Sequence, residues 1–170
     1  IHPLMICDIM EKTNYFHDFT VEEIAAFFAC FANISINDDI KAHNPISTSN
    51  KLNEITKNMN KMLDEYYDLE VKYDINTGSN YERNYDIQEY VMNWCKTTDE
   101  SICKGLINDM KQDTDIFLGE FIKAILKINN IAAEVEKAAE IMQNLELLEK
   151  MKNIPVITLK YVATNQSLYI

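Results

Sequence analysis

TVEEIAAFFACF, residues Thr20 to Phe31, is the stretch from which the fold can be read. Thr20 and Glu23 stand in the S/T-x-x-E spacing of a capping box, where two side chains satisfy first-turn amides that a helix leaves bare. Ile24, Phe27, Phe28 and Phe31 then recur at intervals of three and four and make one broad apolar face. Ala25, Ala26, Ala29 and Ala32 keep the remaining sides small, so that neighbouring helices can approach closely. A helix of this kind belongs at the centre of an assembly of helices.

Working outward, Asn33 to Asn50 reads as a loop, with Asp38-Asp39, Asn44-Pro45 and a Ser/Thr cluster. A long helix is expected from about Lys51 to Tyr73. Its apolar positions are Leu52, Ile55, Met59, Met62, Tyr66, Leu69 and Tyr73, and Asn76, Gly78 and Asn80 end it. Of Tyr66 and Tyr67, one ring should pack inward and the other face solvent. A shorter helix carries Tyr90, Val91, Trp94 and Cys95. Thr98 is the expected cap of the next, which holds Ile102, Cys103, Leu106 and Ile107. Asp113 or Thr114 should cap a helix running to about Ile131, with Ile116, Phe117, Phe121, Ile125 and Ile128 on its apolar side. Gly119 within it costs roughly 1 kcal/mol relative to Ala, which points to close packing or a needed backbone approach. A further helix spans about Ala132 to Met151, and a last one starts near Pro155, a residue suited to a first helical turn. No alternating strand of useful length and no fixed-period repeat is present. The fold class is all-α, an antiparallel bundle of about six to seven helices. Phe27, Phe31, Trp94, Phe117 and Phe121 are expected in its core.

Composition supports this reading. The 170 residues suffice for one domain, 1–170, and the 47% apolar and 25% charged content is globular. Only three glycines and three prolines are present, which leaves room for long helices and little for tight turns. The chain starts at Ile1 and not at Met, as expected of a fragment or processed product. The opening IHPLMICDIM is too short in apolar residues for a signal peptide, and no run approaches the ~20 needed to span a membrane. Cys7, Cys30, Cys95 and Cys103 lack C-x-x-C spacing and read as free thiols, hence a reducing compartment, nucleus or cytoplasm. Richness in Asn, Ile and Lys fits an AT-rich genome such as that of some protists or large DNA viruses.

Several kinds of chemistry find no support. His2, His17 and His43 are scattered without metal-ligand spacing. Asp38-Asp39 and Asp113 with Asp115 lack the ligand count of a calcium loop and are explained by a turn and a cap. Ser101 and the cysteines have no positioned His partner. No phosphate-binding G-x-x-x-x-G-K-[ST] loop is present. A net charge of −11 argues against a free-standing binder of phosphate backbones. It also argues against a helix-turn-helix reader of DNA built on Ser101 to Lys127.

Four stretches in order resemble one family. YFHDFTVEEIAAFFACF, Tyr15 to Phe31, is similar to V-F-x-D-L-T-x-E-[EQ]-I-A-A-L-L-S-C-F of the DSHCT domain, the C-terminal helical bundle of exosome-associated DExH RNA helicases. DIQEYVMNWCK resembles the helix that carries V-x-x-W. TDIFLGEFIKAILK, Thr114 to Lys127, resembles T-D-[VI]-[FY]-E-G-x-[LI]-I-R-x-x-[KR]-R. Ser167-Leu168-Tyr169-Ile170 is similar to the S-L-Y-L with which these helicases commonly end.

The resemblance implies a bundle packed on the RecA-like motor and winged-helix domains of a 3′-to-5′ RNA helicase. A ratchet helix would line the path of single-stranded RNA, and exosome cofactors are implied as further partners. ATP and magnesium would be held by the motor domains, with no cofactor in this chain. The family's RNA-facing positions correspond to Lys123, Lys127 and Asn130. Each departs from the pattern: Lys keeps the charge of Arg but not its planar fork, and Asn130 lacks the family's carboxylate. Leu118 replaces the acidic residue before Gly119, and Cys103 to Thr114 is about eight residues longer than the family's spacing. A plain electrostatic contact is what these changes leave. The rival reading is an acidic helical protein-interaction module with no RNA contact.

Overall fold

The computed structural model describes residues 3–161, and the Ser167–Ile170 resemblance lies outside them. Seven helices follow in order: α1 (Pro3–Lys12), α2 (Val21–Ala29), α3 (Asn50–Tyr73), α4 (Gln88–Lys96), α5 (Glu100–Thr114), α6 (Leu118–Ile141) and α7 (Leu145–Thr158). The described residues contain no strand, and the fold is all-α.

α2 starts where its capping box predicts. Thr20 Oγ1 accepts from Glu23 N at 3.2 Å, and Thr20 N donates to Glu23 Oε1 at 3.1 Å. Its residues Ile24 to Ala29 are all buried, and α2 packs on α3, α4, α6 and α7. The small alanines let four helices close on one. At its end, the buried Asn84 Nδ2 donates to Ala32 O at 2.7 Å and Ala29 O at 3.2 Å, while Asn84 N donates to Cys30 O at 2.9 Å. Those contacts give Cys30 O and Ala32 O a partner at the helix end and add a second donor to Ala29 O, which already accepts from Ala32 N at 3.1 Å. They also tie the segment after α3 to the core.

α1 was not legible as a helix, yet it buries Met5, Ile9 and Met10. It reaches α2 through three successive left-handed residues, Asn14, Tyr15 and Phe16. Such backbone costs roughly 1–2 kcal/mol per non-glycine residue. The turn delivers Phe16 into the core against Phe19, Phe27 and Phe28. Lys150 Nζ of α7 then donates to Phe16 O and His17 O, both at 2.9 Å.

Four boundaries differ from expectation. Asp99, not Thr98, caps α5, its carboxylate accepting from Ser101 N and Ile102 N. α5 then continues through Thr114 without a break, so the long Cys103–Thr114 stretch is helical; Asp115 ends it in the left-handed region. α6 is therefore capped neither by Asp113 nor by Thr114, and begins only after Phe117. It does not stop near Ile131 but runs to Ile141, because Ala132, Val135 and Ala139 extend the apolar stripe of Ile125, Ile128 and Ile131. The true break is Met142 to Asn144, where Asn144 Oδ1 accepts from Leu147 N at 3.1 Å and caps α7. α6 and α7 thus form a helical hairpin. Pro155 sits inside α7, in its final turn, and does not start a helix. Its missing N–H removes a single late hydrogen bond.

Trp94, Phe27, Phe31 and Phe121 lie in the core as expected; Phe117 does not, being 50% exposed with Lys111 Nζ 5.3 Å from its ring centroid. Tyr66 is half-buried and Tyr67 exposed, as their adjacency on a helix requires. All four cysteines are free, with Cys7 exposed and the others buried.

Candidate RNA-facing helix

The site is built on α6. Phe121, Ala124, Ile125, Ile128, Ile131 and Ala132 bury one side of the helix. Trp94 clamps its first turns: the indole and the Phe121 ring meet edge to face at 5.2 Å, and Trp94 Nε1 donates to Thr158 O of α7 at 3.0 Å. Asn129 fastens the middle, its Nδ2 donating to Ile125 O at 2.8 Å and Thr158 Oγ1 at 2.9 Å. With rotation about its axis thus prevented, α6 presents one fixed outer face.

Lys123, Lys127 and Asn130 share that face because they are four and three residues apart. Lys123 and Asn130 are exposed and Lys127 is half-buried. Among the described residues, no carboxylate lies within ion-pair distance of either lysine. Beside them stands Leu126, half exposed. Lys127 also borders a small cavity of about 90 Å³ with Phe31, Asn33, Asn80 and Glu82. Sequence spacing could not reveal these neighbours, because they come from two loops far from α6 in the chain.

Charge along α6 is divided. Glu120, Lys123 and Lys127 make its first half slightly positive, whereas Glu134, Glu136 and Glu140 outweigh Lys137 in its second. Lys137 is already occupied, 3.2 Å from Glu134 Oε1. Among the described residues, the cationic groups of α6 without an ion-pair partner are therefore confined to two turns.

Gly119 does not serve internal packing: a Cβ built there meets nothing within 4 Å. Bare backbone at the start of α6 is open next to Lys123. Elsewhere among the described residues, no group of three His, Cys, Asp or Glu could hold a metal ion. No described helix is long and apolar enough to cross a membrane.

The DSHCT (NUC185) domain model matches residues 2–156, which takes in all seven helices up to the last turn of α7. The chain belongs to the DSHCT family. No curated protein matches it. DSHCT domains are found in DExH-box helicases, which places this chain among helicase-associated helical domains. The match spans α6 together with Trp94 and Phe121, so the helix bearing Lys123 and Lys127 is part of the DSHCT fold and not an appendage to it.

Proposed function

We propose that this DSHCT chain is the C-terminal helical domain of an ATP-dependent 3′-to-5′ RNA helicase, and that α6 lines the path of single-stranded RNA. The observation that carries this reading is the pair of lysines, Lys123 and Lys127, without ion-pair partners among the described residues and one turn apart on a helix packed from behind. They stand where the family pattern has its basic residues. Two ammonium groups on flexible stems hold phosphates as point charges, without the planar fork that would fix a base or a register. That suits a surface that must grip a moving strand and then let it go. Asn130 adds a neutral donor and acceptor on the same face, a weaker third contact. ATP hydrolysis with magnesium belongs to the RecA-like domains, on which, with the winged helix, this bundle packs. Exosome cofactors are the further partners we expect, in a reducing compartment of the cell.

The acidic balance of the domain is compatible with this. Phosphate affinity depends on charges within about one Debye length, roughly 8 Å at physiological salt. Near Lys123 and Lys127 the acidic groups are Glu120 on α6 and Glu82, which borders the same small cavity as Lys127, so the local balance is about neutral against −11 for the whole chain.

The test is Lys123→Glu with Lys127→Glu in the full-length helicase. Two lost phosphate contacts should flatten the salt dependence of single-strand binding by about 1.4 in log–log slope, with RNA-stimulated ATPase and unwinding lowered. Lys123→Arg with Lys127→Arg should retain both activities. If the glutamate pair leaves ATPase and unwinding unchanged, the reading is wrong. The acidic second half of α6 favours one alternative, docking of a basic protein with no RNA contact. Capture of such a partner together with silent lysine changes would establish it.

A further inference from the structure

α3 carries apolar residues at Leu52, Ile55, Met59, Met62, Tyr66, Leu69 and Tyr73, spacings of three and four in strict alternation. That is a heptad seam, the pattern by which one helix packs along another. Among the described residues only its first half is used. Leu52, Ile55, Met59 and Met62 are buried, whereas Tyr66 is half-buried and Leu69 and Tyr73 are 48% and 60% exposed. Tyr66 is oriented by its hydroxyl, which donates to Asp8 Oδ2 of α1. At the changeover, Met59 and Met62 also floor an open groove of about 540 Å³ between α1 and α3. The seam therefore leaves the bundle along a concave surface and continues in the open. From Met62 to Tyr73 it runs roughly 17 Å, room for about three turns of a second helix.

The charges flanking the open part select its occupant. In heptad register Glu65, Glu70 and Lys72 border the seam, with Asp64 and Asp68 on the outer side, so that carboxylates outnumber the single cation between Asp64 and Asp74. Asp64 is paired with Arg83 at 2.7 Å and the Glu70 carboxylate accepts from the Thr77 hydroxyl, a neutral donor that leaves its charge in place, so Glu65, Asp68 and Glu70 keep the strip negative. A second copy of this chain would bring like charge against like charge, and its net −11 adds to the repulsion.

We propose that the open end of α3 is a docking surface for a basic amphipathic helix of a separate protein. Its apolar stripe would lie on Tyr66, Leu69 and Tyr73 and its Lys or Arg flanks against Glu65 and Glu70. This surface is independent of the lysines of α6.

The experiment uses the 170-residue chain and a fluorescein-labelled three-heptad peptide with Leu at the seam and Lys at the flanking positions. A twin with Glu at the flanks is the control. Anisotropy should show the Lys peptide binding at least about tenfold more tightly than the Glu twin. Leu69→Ala with Tyr73→Ala should weaken it by a similar factor while circular dichroism reports unchanged helix content. Lys123→Glu with Lys127→Glu should leave peptide binding intact. Failure of the Lys peptide to bind, equal binding of the two peptides, or indifference to the alanine pair each overturns the proposal. So does sedimentation showing a dimer of the chain that the alanine pair dissolves, since the occupant would then be a second copy.

Discussion

Replacing Trp94 tests how α6 is held in place. The indole is fully buried, meets Phe121 of α6 edge to face at 5.2 Å, and donates from Nε1 to Thr158 O of α7 at 3.0 Å. Trp94→Phe keeps most of the aromatic volume but deletes the donor. A buried carbonyl left unpaired costs about 1–3 kcal/mol, and the smaller ring leaves a void that adds to it. The expected loss is about 2–3 kcal/mol, a fall in Tm of roughly 4–12 °C for a chain of this size. Trp94→Ala should cost about 4–5 kcal/mol, a large share of the roughly 5–15 kcal/mol that a domain possesses. Because Trp94 is the single tryptophan, unfolding should be followed by far-ultraviolet circular dichroism in urea. A cycle with Phe121→Leu isolates the ring–ring contribution, expected at about 0.5–1.5 kcal/mol. If Trp94→Phe falls within about 0.5 kcal/mol of the parent chain, the bond to Thr158 does not hold α4 to α7 and the clamp argument fails.

Three further outcomes follow from the same geometry. Gly105→Ala and Gly119→Ala should each stabilise the chain by about 0.5–1 kcal/mol in thermal melts, since both are helical and a Cβ meets nothing within 4 Å at either; a loss of stability would show that close packing requires them. Lys160→Gln should cost about 1–2 kcal/mol in urea unfolding, because Lys160 Nζ donates to Trp94 O at 2.6 Å and Cys95 O at 3.2 Å, and to Thr97 O, at the end of α4. An unchanged midpoint would count against that cap. Burial pushes the Cys95 thiol up to about 12 and those of Cys30 and Cys103 upward as well, from an ordinary value of 9.0. Raised folded-state values mean that the folded chain holds protons the unfolded one releases. Stability should therefore be intact below pH 9 and fall as pH rises above it. At pH 8 a thiol reagent should modify Cys7 alone until denaturant is added, and rapid reaction of all four would contradict the burial.

What could be read from the chain alone was whatever depends on neighbours in sequence. The Thr20 and Glu23 cap, the apolar face of α2 and the seven-position seam of α3 are local patterns, and each stands in the structure where the spacing put it. The ordered resemblance likewise anticipated the family. Lys123, Lys127 and Asn130 were legible as one face because helical spacing alone decides that.

The tertiary structure decided everything that depends on competition between patterns. A helix ends where burial stops compensating its ordering, so α6 ran on past Ile131 once α7 covered Val135 and Ala139. In sequence the opening stretch reads only as too short for a signal peptide and not as a helix, and α1 forms because Met5, Ile9 and Met10 find a surface to bury against. Phe117 is apolar, yet it falls at the α5–α6 turn, where its Cβ direction leads to solvent. The same limit explains the seam of α3: periodicity announced seven apolar positions, but only packing could show that, among the described residues, four are buried while the last two are left exposed. Spacing records which residues share a face, and only the folded assembly determines what that face meets.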